Sequence, residues 1–119
     1  MNELNIKSQN FPRVMLVNPP QKIYKHAWNS GLYFPVGLLY VAAVIRDMCN
    51  LNILDCMIDD FEIKKFDNYE LQGTPDEKIY EYIKDFNPDI VGISVPFTAQ
   101  SENAINVCNI VKNIDSNIK

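Results

Sequence analysis

Cysteine is scarce in this sequence, and its three copies are not grouped. Cys49, Cys56 and Cys108 stand far apart, and none belongs to a CxxC pair. An odd number of widely spaced cysteines is typical of neither a disulfide framework nor a zinc site. We therefore expect three reduced thiols that pack as small apolar side chains.

Basic clusters, long apolar runs and a leader-like N-terminus are missing as well. The net charge of −4 and the scattered Lys and Arg residues argue against a nucleic-acid surface. The longest apolar run, from Val36 to Ile45, is too short to span a bilayer. The stretch from Met1 to Asn10 lacks the charged and apolar regions of a secretory signal. We therefore expect a cytoplasmic protein without a membrane or nucleic-acid partner.

Several widespread ligand-binding and catalytic motifs are absent too. The chain contains neither GxGxxG nor GxxxxGK[ST], which excludes a dinucleotide fingerprint and a P-loop. The first apolar run ends in Asn18-Pro19-Pro20, where a phospho-receiver would carry paired acidic residues. With His26 as the only histidine, no Ser-His or Cys-His pair suggests nucleophilic catalysis.

What the sequence does contain is three short apolar runs, each followed by a helical pattern. The first run, over 13–17, is apolar continuously rather than alternately, which predicts a parallel strand buried on both faces. We predict strands over 13–17, 51–55 and 89–95, and helices over 36–48, from Thr74 to Asn87, and after Thr98.

This order predicts an α/β fold with right-handed crossovers and helices on both faces of the sheet. The expected architecture is a three-layer, Rossmann-like or flavodoxin-like parallel sheet with strand order 2-1-3. We expect residues 1–12 to form an N-terminal extension and residues 13–119 to form the α/β domain. Residues 21–34 and the segment from 56 to Gly73 are expected to be loops.

Two of the helices have distinctive sequences. The helix over 36–48 is apolar nearly all the way round, which predicts burial on most sides. The next helix follows Thr74-Pro-Asp-Glu77, the pattern of a capping box with proline in the first turn, and carries Ile79, Ile83 and Phe86 on one face.

The topology also predicts where a ligand would bind. In such sheets ligands lie beyond the carboxyl ends of the strands, where the strand order reverses. With order 2-1-3 this point lies between the first and third strands. Asn18-Pro19-Pro20, the strand tip at Asp55 and the segment from Ser94 to Thr98 converge there.

Five segments of the chain form a recognisable series. They are VMLVNPP at 14–20, FPVGLLYVAA at 34–43, ILD at 53–55, FNPDIVGIS at 86–94 and FT at 97–98. Together they resemble the N-terminal domain of cobalamin-binding radical S-adenosylmethionine proteins. Their order and spacing match that family from Arg13 to Lys119, as does the GTPDE lead into the second helix at 73–77.

The resemblance implies that cobalamin binds across the carboxyl edge of the sheet. Rigid prolines and short polar side chains at the strand ends suit a corrin, which needs an apolar floor and partners for its amide groups. The residues implied in cofactor binding are Asn18, Pro19, Pro20, Pro35, Gly37, Asp55, Ser94, Pro96, Thr98 and Gln100.

The chain also departs from the family's pattern. It lacks CxxxCxxC, so the iron–sulfur cluster and S-adenosylmethionine would belong to a downstream barrel domain or to a split subunit. It lacks the DxHxxG motif of other cobalamin proteins, which leaves His26 as the one candidate imidazole for cobalt, or else a solvated loop residue. The family's fourth and fifth strands, with a glycine-rich segment that closes the pocket, have no counterpart, and we expect only the N-terminal part of the domain.

Several alternatives remain open from the sequence. Asp55 would bind a ligand amide or cap the following loop, and Thr98 would contact the ligand or cap the third helix. Trp28, Tyr33 and Phe34 would line a corrin, line a domain interface or pack in the fold. The chain would bind cobalamin, or it would be a remnant or interaction module that keeps the fold without a cofactor. Because the third strand is an apolar edge in order 2-1-3, we also expect the isolated chain either to associate through that strand or to be poorly stable.

Overall fold

The computed structural model describes residues 11–26 and 34–119. Most of the expected N-terminal extension, and Trp28 and Tyr33, therefore lie outside the described residues. The strands are β1 (Arg13–Asn18), β2 (Gln21–Tyr24), β3 (Asn50–Asp55), β4 (Glu62–Lys65), β5 (Tyr69–Gly73) and β6 (Ile90–Ile93). The helices are α1 (Val36–Ile45), α2 (Asp76–Phe86) and α3 (Ser101–Ile114), with a 3-10 turn at Thr98–Gln100.

The main sheet is parallel, with order β3-β1-β6. Val14 of β1 lies opposite Leu51 of β3 on one side and opposite Ile90 of β6 on the other. These strands are the three that the apolar runs predict, and their spatial order is the predicted 2-1-3. The predicted fold class is confirmed.

The two faces of the main sheet supply two separate cores. Because successive side chains of a strand point to opposite faces, the continuous apolar run of β1 serves both. On the α2–α3 side the buried residues are Met15, Val17, Leu54, Cys56, Ile79, Ile83, Val107, Val111 and Ile118. On the α1 side they are Val14, Leu16, Leu38, Ala42 and Cys49.

A second sheet, antiparallel and with order β2-β5-β4, occupies the two segments predicted to be loops. Tyr24 pairs with Tyr69, and Lys64 pairs with Leu71. The prediction of loops was wrong because β2 and β4 are partly solvated and mix charged with apolar residues, so no continuous apolar run marks them. This small sheet follows directly from the carboxyl ends of β1 and β3.

Helix α1 covers the main sheet with a narrow stripe and leaves the rest of its surface in solvent. Leu38 and Ala42 are its buried residues, and the helix ends earlier than predicted, at Ile45. The prediction that this helix is buried on most sides is therefore wrong for the chain as described. Within the described part of the chain, no helix is long and apolar enough to cross a membrane.

The start of α2 also differs from the prediction. Thr74 does not cap the helix; its hydroxyl donates to the carbonyl oxygens of Cys56 and Asp59, and Pro75 occupies the cap position. The capping box is thus replaced by a tie between the helix start and the turn after β3. The predicted apolar stripe is confirmed, since Ile79 and Ile83 are fully buried and Phe86 packs against them.

The last residues of the chain run beside β6. The Lys119 N–H donates to the Asp89 carbonyl (3.1 Å), and the Val91 N–H donates to the Lys119 carbonyl (2.7 Å). Ile118 is buried in the core on the α2–α3 side. The edge of β6 that faces away from β1 is therefore partly paired by the chain's own end.

Candidate functional site

A cavity of about 300 Å³ opens at the carboxyl ends of β1 and β6. It lies where the strand order reverses, the place at which open α/β sheets bind their ligands. The N-terminal turn of α1 forms its other wall. Its lining residues are Asn18, Phe34, Pro35, Val36, Gly37, Leu38, Ser94, Val95 and Pro96.

A small cleft adjoins this cavity and shares part of its lining. It is formed by Asn18, Pro19, Pro20, Gln21, Ser94, Pro96 and Gln100. Eight of the ten residues implied by the resemblance line either the cavity or the cleft. Asp55 and Thr98 are the two that do not line either space.

Asn18 is the polar residue at the centre of this edge and is only 2% exposed. Its amide Nδ2 donates to the Asp55 carboxylate at 2.9 Å. The same Asp55 oxygen accepts the Met57 N–H at 3.0 Å, which caps the turn after β3. Asp55 thus has the structural role that the sequence left open, and it also orients the Asn18 amide.

Gln100 is fully engaged with the small sheet. Its Oε1 accepts the Lys22 N–H and its Nε2 donates to the Lys22 carbonyl, both at 2.9 Å. The Asn103 amide also donates to Gln100 Oε1, at 2.8 Å. The Gln100 side chain therefore pairs with the β2 backbone as a neighbouring strand would, and it joins the small sheet to the loop that lines the cavity.

Lys22 adds a second link at the same place. Its ammonium lies 3.6 Å from the Glu102 carboxylate and 4.2 Å from the centre of the Tyr69 ring. A hydrogen bond with Tyr24 is the main cause that raises the pKa of Lys22, and Glu102 adds to the rise. Lys22 remains positively charged at neutral pH, beside the half-buried ring of Tyr69 and the exposed ring of Tyr24.

Thr98 lies at the start of the 3-10 turn and is exposed. Its carbonyl accepts the Ser101 hydroxyl at 2.7 Å. Helix α3 begins only at Ser101, and its cap position is held by Gln100 without a side-chain bond. The alternative that Thr98 caps the third helix is therefore wrong.

The three thiols are all free, but they are not equivalent. Cys49 and Cys56 are buried, whereas Cys108 is exposed, which corrects the expectation that all three pack as apolar side chains. Burial raises the pKa of Cys56, next to the site, to about 12. Its thiol is therefore protonated and unreactive at neutral pH.

A metal site formed by protein side chains is not evident in this region. Among the residues the structure describes, no group of three or more His, Cys, Asp and Glu side chains could hold a metal ion. His26 is exposed in the turn after β2 and does not line the cavity.

Four residues that line these spaces, Gln21, Val36, Leu38 and Val95, were not among the candidates named from the sequence. Val36 and Leu38 lie in the first turn of α1, and Val95 follows β6 between two predicted residues. The position of α1 relative to β6 depends on the tertiary structure, so the sequence pattern did not predict that these residues meet at one cavity. A usable signal was nevertheless present, because the first turn of the helix after β1 faces the point of strand reversal.

Comparison with known proteins identifies the family. The profile of the B12 binding domain matches residues 30–119, more than half of the chain. The chain is 30% identical over 102 residues to the cytidylyl-2-hydroxyethylphosphonate methyltransferase of Streptomyces wedmorensis, covering 82% of this chain and 19% of that protein. It is 31% identical over 108 residues to an uncharacterized methyltransferase of Pyrococcus horikoshii, covering 89% of this chain and 20% of that protein.

No solved structure matches the chain. The chain spans about a fifth of the length of the two methyltransferases. With a parallel sheet of order β3-β1-β6, a cavity at its point of strand reversal and the profile match over residues 30–119, the chain belongs to the B12 binding domain family.

Proposed function

We propose that this chain is the cobalamin-binding part of a cytoplasmic, cobalamin-dependent radical S-adenosylmethionine methyltransferase. The observation that carries the proposal is the cavity between the carboxyl ends of β1 and β6. Membership of the B12 binding domain family supports the ligand. The methyltransferase names of both relatives support the reaction class.

The residues around the cavity fit a corrin. Pro35 and Pro96 are rigid and apolar, while the Asn18 amide and the Ser94 hydroxyl supply polar groups, as ligand sites of this kind require. Gly37 has no side chain, and a Cβ built there would meet no atom within 4 Å. The wall formed by α1 therefore leaves open space for a flat ligand.

In this proposal the chain binds and orients cobalamin, and the radical chemistry takes place in another part of the enzyme. Bound cobalamin would supply the cobalt that carries the methyl group. Asn18, oriented by Asp55, would donate or accept a hydrogen bond at the edge of the corrin. The iron–sulfur cluster and S-adenosylmethionine would be held by a catalytic part that carries CxxxCxxC, which this sequence lacks. A neighbouring reading frame that encodes CxxxCxxC would support the assignment to a radical S-adenosylmethionine enzyme. A catalytic part that lacks CxxxCxxC would contradict that assignment.

Cobalamin binding is tested by mixing the purified chain with hydroxocobalamin and following gel filtration by visible absorbance. We expect the corrin to elute with the protein. Gly37→Leu should weaken binding by about ten-fold or more, because its side chain would occupy the cavity, where a Cβ at this position meets no atom within 4 Å. Ala43→Leu is the matched control, since Ala43 is exposed on the same helix and does not line the cavity.

Two outcomes would contradict the proposal. One is free passage of the corrin through the column, which would favour a module that keeps the fold without a cofactor. The other is equal binding by the wild-type chain and the Gly37→Leu variant, which would place the corrin outside this cavity. Circular dichroism of both variants checks that the fold is intact.

A further inference from the structure

The outward face of α1 carries a stripe of large apolar side chains. Val36, Tyr40 and Val44 recur at a spacing of four residues and are 55%, 72% and 73% exposed. Residues four apart lie above one another on a helix, so these three form one continuous surface. We call it the outward stripe of α1.

The chain's own core does not explain this composition. Leu38 and Ala42 are the buried contacts of α1 with the sheet, and the outward stripe lies outside that contact. A helix with one buried face normally has polar residues on the other, as α2 does. In contrast, no charged or amide side chain occurs between Phe34 and Ile45.

The stripe is continuous with the candidate cavity. Val36 belongs to both, and the neighbouring Phe34 lines the cavity although it is 77% exposed. A partner that covered the stripe would therefore also cover the outer side of the cavity. The surface is uncharged, so its partner must be apolar rather than a polyanion or a charged peptide.

We propose that the outward stripe of α1 is the docking surface for an apolar face of the catalytic part of a methyltransferase. Both relatives contain the matched segment within a polypeptide about five times as long, so four fifths of their length is available to cover it. Residues that are exposed in this chain would then be interface residues of the complete enzyme. The inference rests on the proposed assignment of this chain to a methyltransferase, but the contact requires no cofactor and stands whether or not cobalamin binds.

The experiment uses a full-length chimera in which this chain replaces the matched fifth of the Pyrococcus methyltransferase. It is prepared without cobalamin in the wild-type form, as Val44→Glu and as Ile105→Glu. Ile105 is the matched control, because it is an apolar residue on α3 with 59% exposure. Limited proteolysis measures cleavage at the junction, and calorimetry shows whether the two parts unfold together.

We expect one unfolding transition and slow cleavage for the wild-type and Ile105→Glu chimeras. Val44→Glu should split the transition and speed cleavage by about ten-fold or more, because an unpaired carboxylate is costly to bury in an apolar contact. In the isolated chain, Val44→Glu should leave the melting temperature unchanged. That result separates loss of docking from misfolding.

Three results would overturn the proposal. The first is a Val44→Glu chimera that behaves like wild type, and the second is a wild-type chimera whose parts already unfold separately. The third is an isolated wild-type chain that sediments as a dimer which Val44→Glu dissociates. That result would identify a second copy of this chain as the occupant of the stripe.

Discussion

At the scale of single residues, the candidate site depends on side chains whose hydrogen bonds are already made. Asn18 and Asp55 bind each other, and Gln100 binds the backbone of Lys22. In the described residues no buried side-chain nitrogen or oxygen lacks a hydrogen-bond partner. The ligand would therefore meet a surface whose polar groups are already oriented, which lowers the entropic cost of binding.

The thiols give a direct test of burial at this scale. At pH 8 in the folded chain, Ellman's reagent should modify Cys108 quickly and should react slowly with Cys49 and Cys56, which are buried. Unfolding in guanidinium should expose all three. Cys108→Ser should remove the fast phase, and three thiols of equal reactivity in the folded chain would contradict the structure.

The pKa of Cys56 also predicts how stability changes in alkali. Its folded value is raised from 9.0 to about 12, so the contribution of this thiol is complete below pH 9 and is lost as the pH rises toward 12. In Cys56→Ala the free energy of unfolding should fall less steeply between pH 9 and pH 11 than in wild type. Equal slopes in urea titrations at these pH values would disprove this.

Gln100 tests the link between the two sheets. In Gln100→Glu a carboxylate oxygen would face the Lys22 carbonyl in place of the Nε2 donor. We expect a loss of about 1–3 kcal/mol in the free energy of unfolding and faster amide exchange in β2. Asn103→Ala, which leaves both Lys22 bonds in place, should cost less. Unchanged exchange in β2 would show that the small sheet is held by other contacts.

At the scale of elements, Gly73 determines how the small sheet joins the main one. Its φ is +135°, and a Cβ built there would lie 2.8 Å from the Cys56 carbonyl oxygen and 2.8 Å from Pro20 Cβ. This strand end therefore requires glycine for two reasons: other residues rarely adopt this positive φ, and there is no room for a Cβ. Because both neighbours belong to the turns after β1 and β3, Gly73 sets how closely the small sheet approaches the site.

Gly73→Ala should consequently destabilise the chain by more than about 1–3 kcal/mol, the range for strained backbone positions. Urea unfolding measures the change. Gly37→Ala is the control, because that position is helical and open, and it should be neutral or stabilising by up to about 1 kcal/mol. A Gly73→Ala variant as stable as wild type would show that the turns after β1 and β3 can move apart.

The elements also show where sequence patterns succeed. The three parallel strands were predictable because β1, β3 and β6 lie in a sheet covered by helices on both faces, so a short run rich in apolar residues marks each of them. The small sheet was missed because Glu62, Lys64 and Lys65 face solvent on β4 and no apolar run marks it. The capping box failed because the Thr74 hydroxyl is taken by the carbonyls of Cys56 and Asp59, which are distant in sequence.

At the scale of the whole molecule, the main sheet has an incomplete edge. In the part of the chain that the structure describes, β6 has a strand neighbour on its β1 side, while Lys119 pairs with Asp89 and Val91 on the other. An unpaired apolar edge invites pairing with another chain.

We therefore expect the isolated chain to associate through β6 or to be of low stability. Thermal unfolding followed at several protein concentrations, together with sedimentation velocity, distinguishes these outcomes. A monomer with a high melting temperature that does not change with concentration would contradict both.

The sequence by itself determined the parallel α/β fold, its strand order and the edge at which a ligand would lie. The elements follow from apolar periodicity, which is a local property of a chain, and their arrangement follows from the general rule that crossovers between parallel strands are right-handed. Only the tertiary structure decided that Gln100 pairs with β2, that Asp55 orients Asn18, and that the apolar surface of α1 remains uncovered. These depend on distances between segments far apart in the chain, and no local pattern of residues encodes them.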